Sequence, residues 1–453
     1  MKKTLFLVFL IASLFGREAP KRVTFSKEEI AATKKIKHLI IIFQENWSFD
    51  GLLGTLPGVD GIANASEESK TQLDLTGAPY PKLPPSIDTK TKKPYPQIPQ
   101  NLLNGPYNLG PYIPPTEETS DLYHRYYQEQ YQINGGKMNK FALWSNAWGF
   151  AMSYYDLRHT ELAKLAQEFT ICDRWFHSCY GGSLCNVLWL FSAQMPVWPN
   201  APKQYIAKII PSGALRRDGK VSPNGYLIND AEPFYPPHKK EVPDHLRVPP
   251  IDQVTIGDRL SEKNISWKWY AQEWKSADAG HPHPSFVFHH QAPLYYKPFA
   301  PGSPMRKKHL ADLTEFYDAL DTNTLPAVSF VRSLDIYSFH PGHLSVMDGA
   351  KWLVDTVHRV QKSPVWEDCL IIITFDENGG RWDHVAPPEV DPFGPGTRVP
   401  ALIISPYVKK GYVDSTSYET VSILKFIEER WGLEPLSTRD RAANNILNSL
   451  ILN

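Results

Sequence analysis

Residues 36–46 read IKHLIIIFQEN, a β-branched apolar run of strand length that stops abruptly at three polar residues. The same grammar returns at residues 369–380, CLIIITFDENGG, again apolar and again ending in acids. Two buried strands therefore finish in oxygen-bearing side chains, Glu45 and Asn46 in one and Asp376 and Glu377 in the other. Shorter apolar runs at 327–331 and 401–405 also suit buried strands, whereas 161–169, 347–360 and 418–431 carry helical spacing. Alternation of this kind predicts an α/β fold, a mainly parallel central sheet with helices on both faces. Ligands of such sheets bind beyond the carboxyl ends of the strands.

Outward from these strands the chain is less regular. Eleven prolines between Pro79 and Pro115 disfavour helix and ladder strand alike, and they mark a surface excursion near 65–120. A second excursion, near 196–251, is placed to line or cover a site. The opening Met1-Lys2-Lys3 and the apolar run to Phe15 predict a signal peptide over 1–16, leaving 17–453 as one catalytic domain. Export to the periplasm or beyond follows, with no stable membrane span, because no later run reaches the roughly 20 apolar residues that spanning requires.

Lysine plus arginine equals aspartate plus glutamate at 48 each, so no net field favours nucleic acid. The Arg306-Lys307-Lys308 cluster reads as a solvated helix start. Cys172, Cys179, Cys185 and Cys369 are free to pair in an oxidising compartment, with three connectivities open, and their spacing matches no structural zinc motif.

The strand-end pairs are oxygen donors of the type hard divalent cations take, although each pair alone also serves as an ordinary cap. Two strand ends of one sheet can bring residues some 330 positions apart to a single ion. Gly181-Gly182-Ser183 precedes the helical run at 184–191, which makes Ser183 an expected N-cap, with free N–H groups beside it that suit a phosphate. Among the histidines, His290 in the His289-His290 doublet, His340 and His384 carry the donors that phosphoryl transfer needs.

These motifs together resemble the bacterial phosphoesterase family, which holds the Francisella-type acid phosphatases and the bacterial phospholipases C. The resemblance rests on IKHLIIIFQENWSFDGLLGTLPGVDG (36–61), GGKMNKFALW (135–144), TELAKLAQEFTICDRWFHSCYGGSLCN (160–186), FVFHHQAPLYY (286–296), PAVSFVRSLDIYSFHPGH (326–343), SPVWEDCLIIITFDENGGRWDHVAPP (363–388) and GPGTRVPALIISPYVKKGYVD (394–414). It implies an alkaline-phosphatase-like fold with one divalent metal held by Glu45, Asn46, Asp376 and Glu377. Ser183 is then the nucleophile, His290 and His340 contact the phosphoryl oxygens or the leaving group, and Asn186 and His384 support substrate binding. Trp47 stands where the family commonly has Arg, and Cys185 where it often has Pro, so Trp47 is expected to alter the pocket.

The details are nearer the acid phosphatase branch, which implies hydrolysis of phosphorylated small molecules through a phosphoserine, with an acidic optimum. A phospholipase C acting on phosphatidylcholine-type diesters is the near alternative, and a secreted binding protein without turnover is the alternative of another class. A sulfatase is disfavoured because no Cys-x-Pro-x-Arg segment is present.

Overall fold

The computed structural model describes residues 20–211 and 214–452, so the expected signal peptide lies outside the described residues. Eight strands form the central sheet: β1 His38–Gln44, β2 Thr170–Cys172, β3 Trp267–Ala271, β4 Leu310–Asp312, β5 Val328–Arg332, β6 Cys369–Phe375, β7 Ala401–Ile404 and β8 Tyr412–Asp414. Their spatial order is β4-β3-β5-β1-β6-β7-β2-β8. Only β7 opposes the rest, pairing antiparallel with β6 and β2, while the other neighbouring pairs are parallel. The expected mainly parallel α/β sheet is what forms.

The two motif strands lie side by side at its centre. β1 and β6 pair along their whole length, from His38 opposite Cys369 to Gln44 opposite Phe375. This register sets Glu45 and Asn46 next to Asp376 and Glu377. All seven residues of β6 are buried, which requires cover on both faces of the sheet and explains a continuous apolar run instead of an alternating one. The cover comes from helices including α1 Glu161–Glu168, α2 Ser183–Ser192, α3 Val346–Gln361 and α4 Thr420–Trp431; α1 packs with α3, and α2 with α4.

Sequence and structure differ in identifiable places. The helix expected from 418 begins at Thr420, because Tyr418 and Glu419 pair as a short strand with Trp175 and Phe176. Strands β2, β3, β4 and β8 are short or mixed in polarity and left no apolar run to read. Arg306 is not solvated: it is buried, donates to Pro236 O at 2.7 Å and pairs with Asp278, fastening a loop to the end of the helix Trp274–Asp278. The four cysteines are all unpaired and buried. No helix among the described residues is long and apolar enough to cross a membrane.

Candidate active site

Beyond the carboxyl ends of β1 and β6 the chain must turn sharply. Asn46 takes a left-handed conformation at φ 61°, and Gly379 does so at φ 63°. A Cβ at Gly379 would meet Asn46 O at 2.2 Å, so the two turns interlock only with glycine there. Asp376 Oδ1 accepts the backbone N–H of Asn46 at 3.3 Å and of Glu377 at 2.8 Å. Glu377 Oε2 accepts Gly379 N–H at 2.6 Å.

Ser183 meets this floor from helix α2. Its hydroxyl donates to Glu45 Oε2 at 3.2 Å and lies 3.4 Å from Asn46 Oδ1. The N-cap is Gly182, not Ser183, so the hydroxyl is spared from capping and faces the strand ends. Nor is the N–H of the next residue free, since Leu184 N donates to Asp230 Oδ1 at 3.0 Å. The double glycine has a steric cause: Gly181, at φ +87°, passes so near Tyr126 that a Cβ would sit 2.4 Å from its nitrogen.

The loop before Ser183 hangs on one buried carboxylate that sequence reading missed. Glu129 Oε2 accepts Gly181 N–H at 2.6 Å, while Oε1 accepts Thr397 N–H at 2.9 Å and pairs with His177 Nε2 at 2.8 Å. Asn186 belongs to this scaffold. Its carboxamide bonds Cys179 N–H and Cys179 O at 2.9 and 3.0 Å, and it is fully buried away from the cavity.

A cavity of about 760 Å³ opens above Ser183, with Asp230, His289, His290, Asp335 and His340 among its walls. His290 Nδ1 lies 3.2 Å from Glu45 Oε1, an oxygen that Arg332 also pairs with. Burial, then Arg332 and the neighbouring histidines, hold the His290 imidazole well below its ordinary pKa. His340 is held above its ordinary value: burial alone would lower it, and Asp335 and Asp121 overcome that. His124 and His289 line the cavity as well; His124 carried no motif signal, and His289 was visible only as half of the doublet.

Two sequence expectations relocate. His384 does not line the cavity. It is locked between Asp50 at 2.7 Å and Asp60 at 3.2 Å. Trp47 is fully buried and does not line the cavity either; its indole donates to Phe339 O at 3.0 Å, and its ring stacks 3.8 Å from the Arg381 guanidinium. It acts on the turn that carries His340, from beneath.

The acidic floor is only partly neutralised: Arg332 pairs with Glu45, and His124 Nε2 stands 4.0 Å from Glu377 Oε1. Glu45 and Glu377 are both pushed well above the ordinary carboxylate range by burial and then by the charge of Asp376. Asp376 Oδ2, Glu377 Oε1 and Asn46 Nδ2 are buried with no hydrogen-bond partner. Buried carboxylate oxygens left without donors are costly unless something charged completes them. A hard divalent cation supplies what the floor lacks, and the oxygen-rich donor set fits one.

A model of the Phosphoesterase family matches residues 36–434. The non-hemolytic phospholipase C of Pseudomonas aeruginosa is 27% identical over 89% of this chain, which spans 55% of that protein's length. Phospholipase C A of Mycobacterium tuberculosis is 26% identical over 88% of this chain and 73% of its own. Among solved structures, a protein in the alkaline phosphatase superfamily from Vibrio parahaemolyticus aligns over 75% of this chain and 74% of its own, at 11% identity and TM-score 0.35. The lipoteichoic acid synthase LtaP from Listeria monocytogenes aligns over 93% of this chain and 80% of its own, at 10% identity and TM-score 0.39. With its family match running from the first central strand almost to the end of the chain, this protein belongs to the Phosphoesterase family.

Proposed function

We propose that this protein hydrolyses phosphate esters, preferring monoesters, with Ser183 as nucleophile. The observation that carries the reading is the Ser183 hydroxyl at the cavity floor, 3.2 Å from Glu45 and beside the unpartnered oxygens of Asp376 and Glu377. Glu45, Asn46, Asp376 and Glu377 would hold one divalent metal, whose chemistry is to lower the pKa of the serine hydroxyl and neutralise charge on the phosphoryl group. Ser183 forms the new oxygen–phosphorus bond as the ester oxygen leaves, giving a phosphoserine that water then hydrolyses. The imidazoles of His124, His289, His290 and His340 share the cavity and present N–H groups to the phosphoryl oxygens and the leaving alcohol. Glu129, Asn186 and Asp230 keep the serine loop in place.

The monoester preference is supported by the mouth of the cavity. Lys239 and Lys240 line it with Glu241 and Asp278, and among the described residues its walls carry Phe286 and Phe288 but no tryptophan or tyrosine. A quaternary ammonium such as choline is ordinarily held against aromatic faces, Trp and Tyr foremost. The second reading is a phospholipase C, favoured by the names of the relatives. Export is part of the same proposal and rests on residues 1–15 alone. Rates on an aryl phosphate, the matching diester and phosphatidylcholine vesicles, measured across pH, decide between the two. A monoester rate highest below neutral pH is expected, and a faster phosphatidylcholine rate at matched saturation would establish the second reading.

A further inference from the structure

The loop that presents Ser183 is bracketed by cysteines. Cys179 and Cys185 enclose Tyr180, Gly181, Gly182, Ser183 and Leu184, and both are thiols with no exposed surface. Their backbones are drawn together by Asn186, the residue after Cys185 in α2, whose carboxamide holds the N–H and the carbonyl of Cys179 at 2.9 and 3.0 Å. The two side chains turn toward one place. Cys179 Sγ lies 3.9 Å from Met195 Sδ, and Cys185 Sγ lies 3.5 Å from the Leu227 carbonyl. Leu227 N–H in turn donates to Pro196 O at 2.9 Å, which sets these two contacts side by side. The thiols also meet each other: burial, and then the Cys185 thiol beside it, push the Cys179 thiol well above its ordinary pKa.

The other two cysteines are placed apart. Cys172 ends β2, where its thiol bonds Ser449, and Cys369 opens β6, two strands away. Ile171 and Ile373 face the same residue of β7, Leu402, so Cys172 is level with Thr374 and stands five residues along the strand direction from Cys369. That is roughly 16 Å at the ordinary rise of a strand, against the about 7 Å between Cα atoms that a disulfide spans.

We propose that Cys179 and Cys185 are joined by a disulfide when this chain folds in an oxidising compartment, closing the loop that carries Ser183. Each thiol gives up its proton, the two sulfurs join, and the electron pair passes to a disulfide oxidant, a dithiol oxidase or oxidised glutathione, which leaves as thiol. Deep burial and a raised pKa leave little thiolate in the folded protein, so the bond is made while the chain is folding and is shielded afterwards. Cys185 stands where the family often has Pro. A proline fixes φ and a cross-link removes loop freedom, so the two residues are different ways of stiffening the same turn. The proposal rests on the export reading for where the bond forms, not for whether these two thiols join.

The test counts thiols in the full-length protein by two routes. In the first, a bacterial host exports it on its own leader, and the protein is alkylated with a maleimide in denaturant and weighed. In the second, it is made in a reducing cytosol, then unfolded and refolded with oxidised glutathione before alkylation. Two maleimides are expected on the wild type, at Cys172 and Cys369, with peptide mapping linking Cys179 to Cys185. Cys185→Ala and Cys179→Ala should each take three, and Cys172→Ala should take one. If Cys185→Ala folds poorly, Cys185→Pro supplies the family's own residue and should likewise take three. Four maleimides on the wild type by both routes, or a linkage that includes Cys172 or Cys369, overturns the disulfide. Failure of export reads differently: four maleimides on protein taken from the host, but two after refolding with glutathione, upholds the pairing and removes the compartment.

Discussion

Two buried acidic clusters stand within a few residues of each other in sequence, and they have opposite electrostatics. Asp376 and Glu377 each bring an unpartnered oxygen to the cavity floor beside Glu45, and Arg332 reaches Glu45 and the Phe43 carbonyl but neither of those two acids. Asp50, Asp60 and Asp383 surround His384 and Arg398 and are satisfied by them. Arg398 Nε bonds Asp383 at 2.8 Å and Nη2 bonds Asp50 at 3.1 Å, while its Nη1 reaches the carbonyls of Asp60 and Asp173. The side chains of the two sets are of the same types and mostly as deeply buried. What separates a ligand site from a structural knot is whether protein supplies the countercharge.

The largest expected effect tests the open cluster. Ser183→Ala should lower kcat/KM by at least roughly 10⁴-fold, as deletion of a covalent nucleophile does, with a melting temperature within a few degrees of the wild type because no capping bond is lost. Retention of a tenth of the activity would remove Ser183 from that role.

The closed cluster should respond in stability. Arg398→Ala strands two buried carboxylates and should cost about 3–5 kcal/mol, read as a fall in the denaturation midpoint. Asp376→Asn is the counterpart: in metal-free protein it relieves repulsion and should leave stability equal or higher, while weakening metal binding by about 10-fold or more. If Asp376→Asn destabilised the metal-free protein as much as Arg398→Ala, the contrast drawn between the clusters would collapse.

A smaller effect comes from pH. Burial alone would lower the pKa of His384, but its bonds to Asp50 and Asp60 raise it to about 9. A histidine raised in the folded state contributes its stabilisation fully below about pH 6.5 and loses it as pH rises through about 9, a contribution on the order of 3 kcal/mol at most. Stability should therefore decline between pH 7 and 9 in the wild type, and His384→Gln should flatten that slope. An unchanged slope would place the alkaline loss elsewhere.

Smallest of all should be Glu129→Gln. The amide cannot accept all the N–H groups that Glu129 now accepts, so the serine loop loosens, and kcat should drop by about 10-fold with KM little changed. A change in KM alone would mean that Glu129 acts on substrate binding and not on the position of Ser183.

The sheet was legible because its two central strands are uninterrupted apolar runs, and the ends of those strands were legible because polarity changes there within one residue. Ser183 was marked by its glycines. His124, Asp230 and Glu129 were not: His124 and Asp230 come from irregular chain and Glu129 from the short helix Tyr126–Ile133, and none of them stands in a motif, outside which a carboxylate or an imidazole has many ordinary uses. His384 and Asn186 were misplaced for a related reason. A motif position says that a residue matters, not whether it faces the cavity or holds up its wall.

By itself, then, the sequence determined the strand pair β1 and β6, the acids at their ends and the serine at a helix start, since burial and backbone propensity act locally and leave a local record. Only the tertiary structure decided which acids lack a counterion, which histidines share the cavity with Ser183, and that Trp47 works from below the site. Those outcomes depend on charges and contacts between segments up to hundreds of residues apart, and Coulomb interactions and packing are fixed by distance in space, of which the order along the chain keeps no trace.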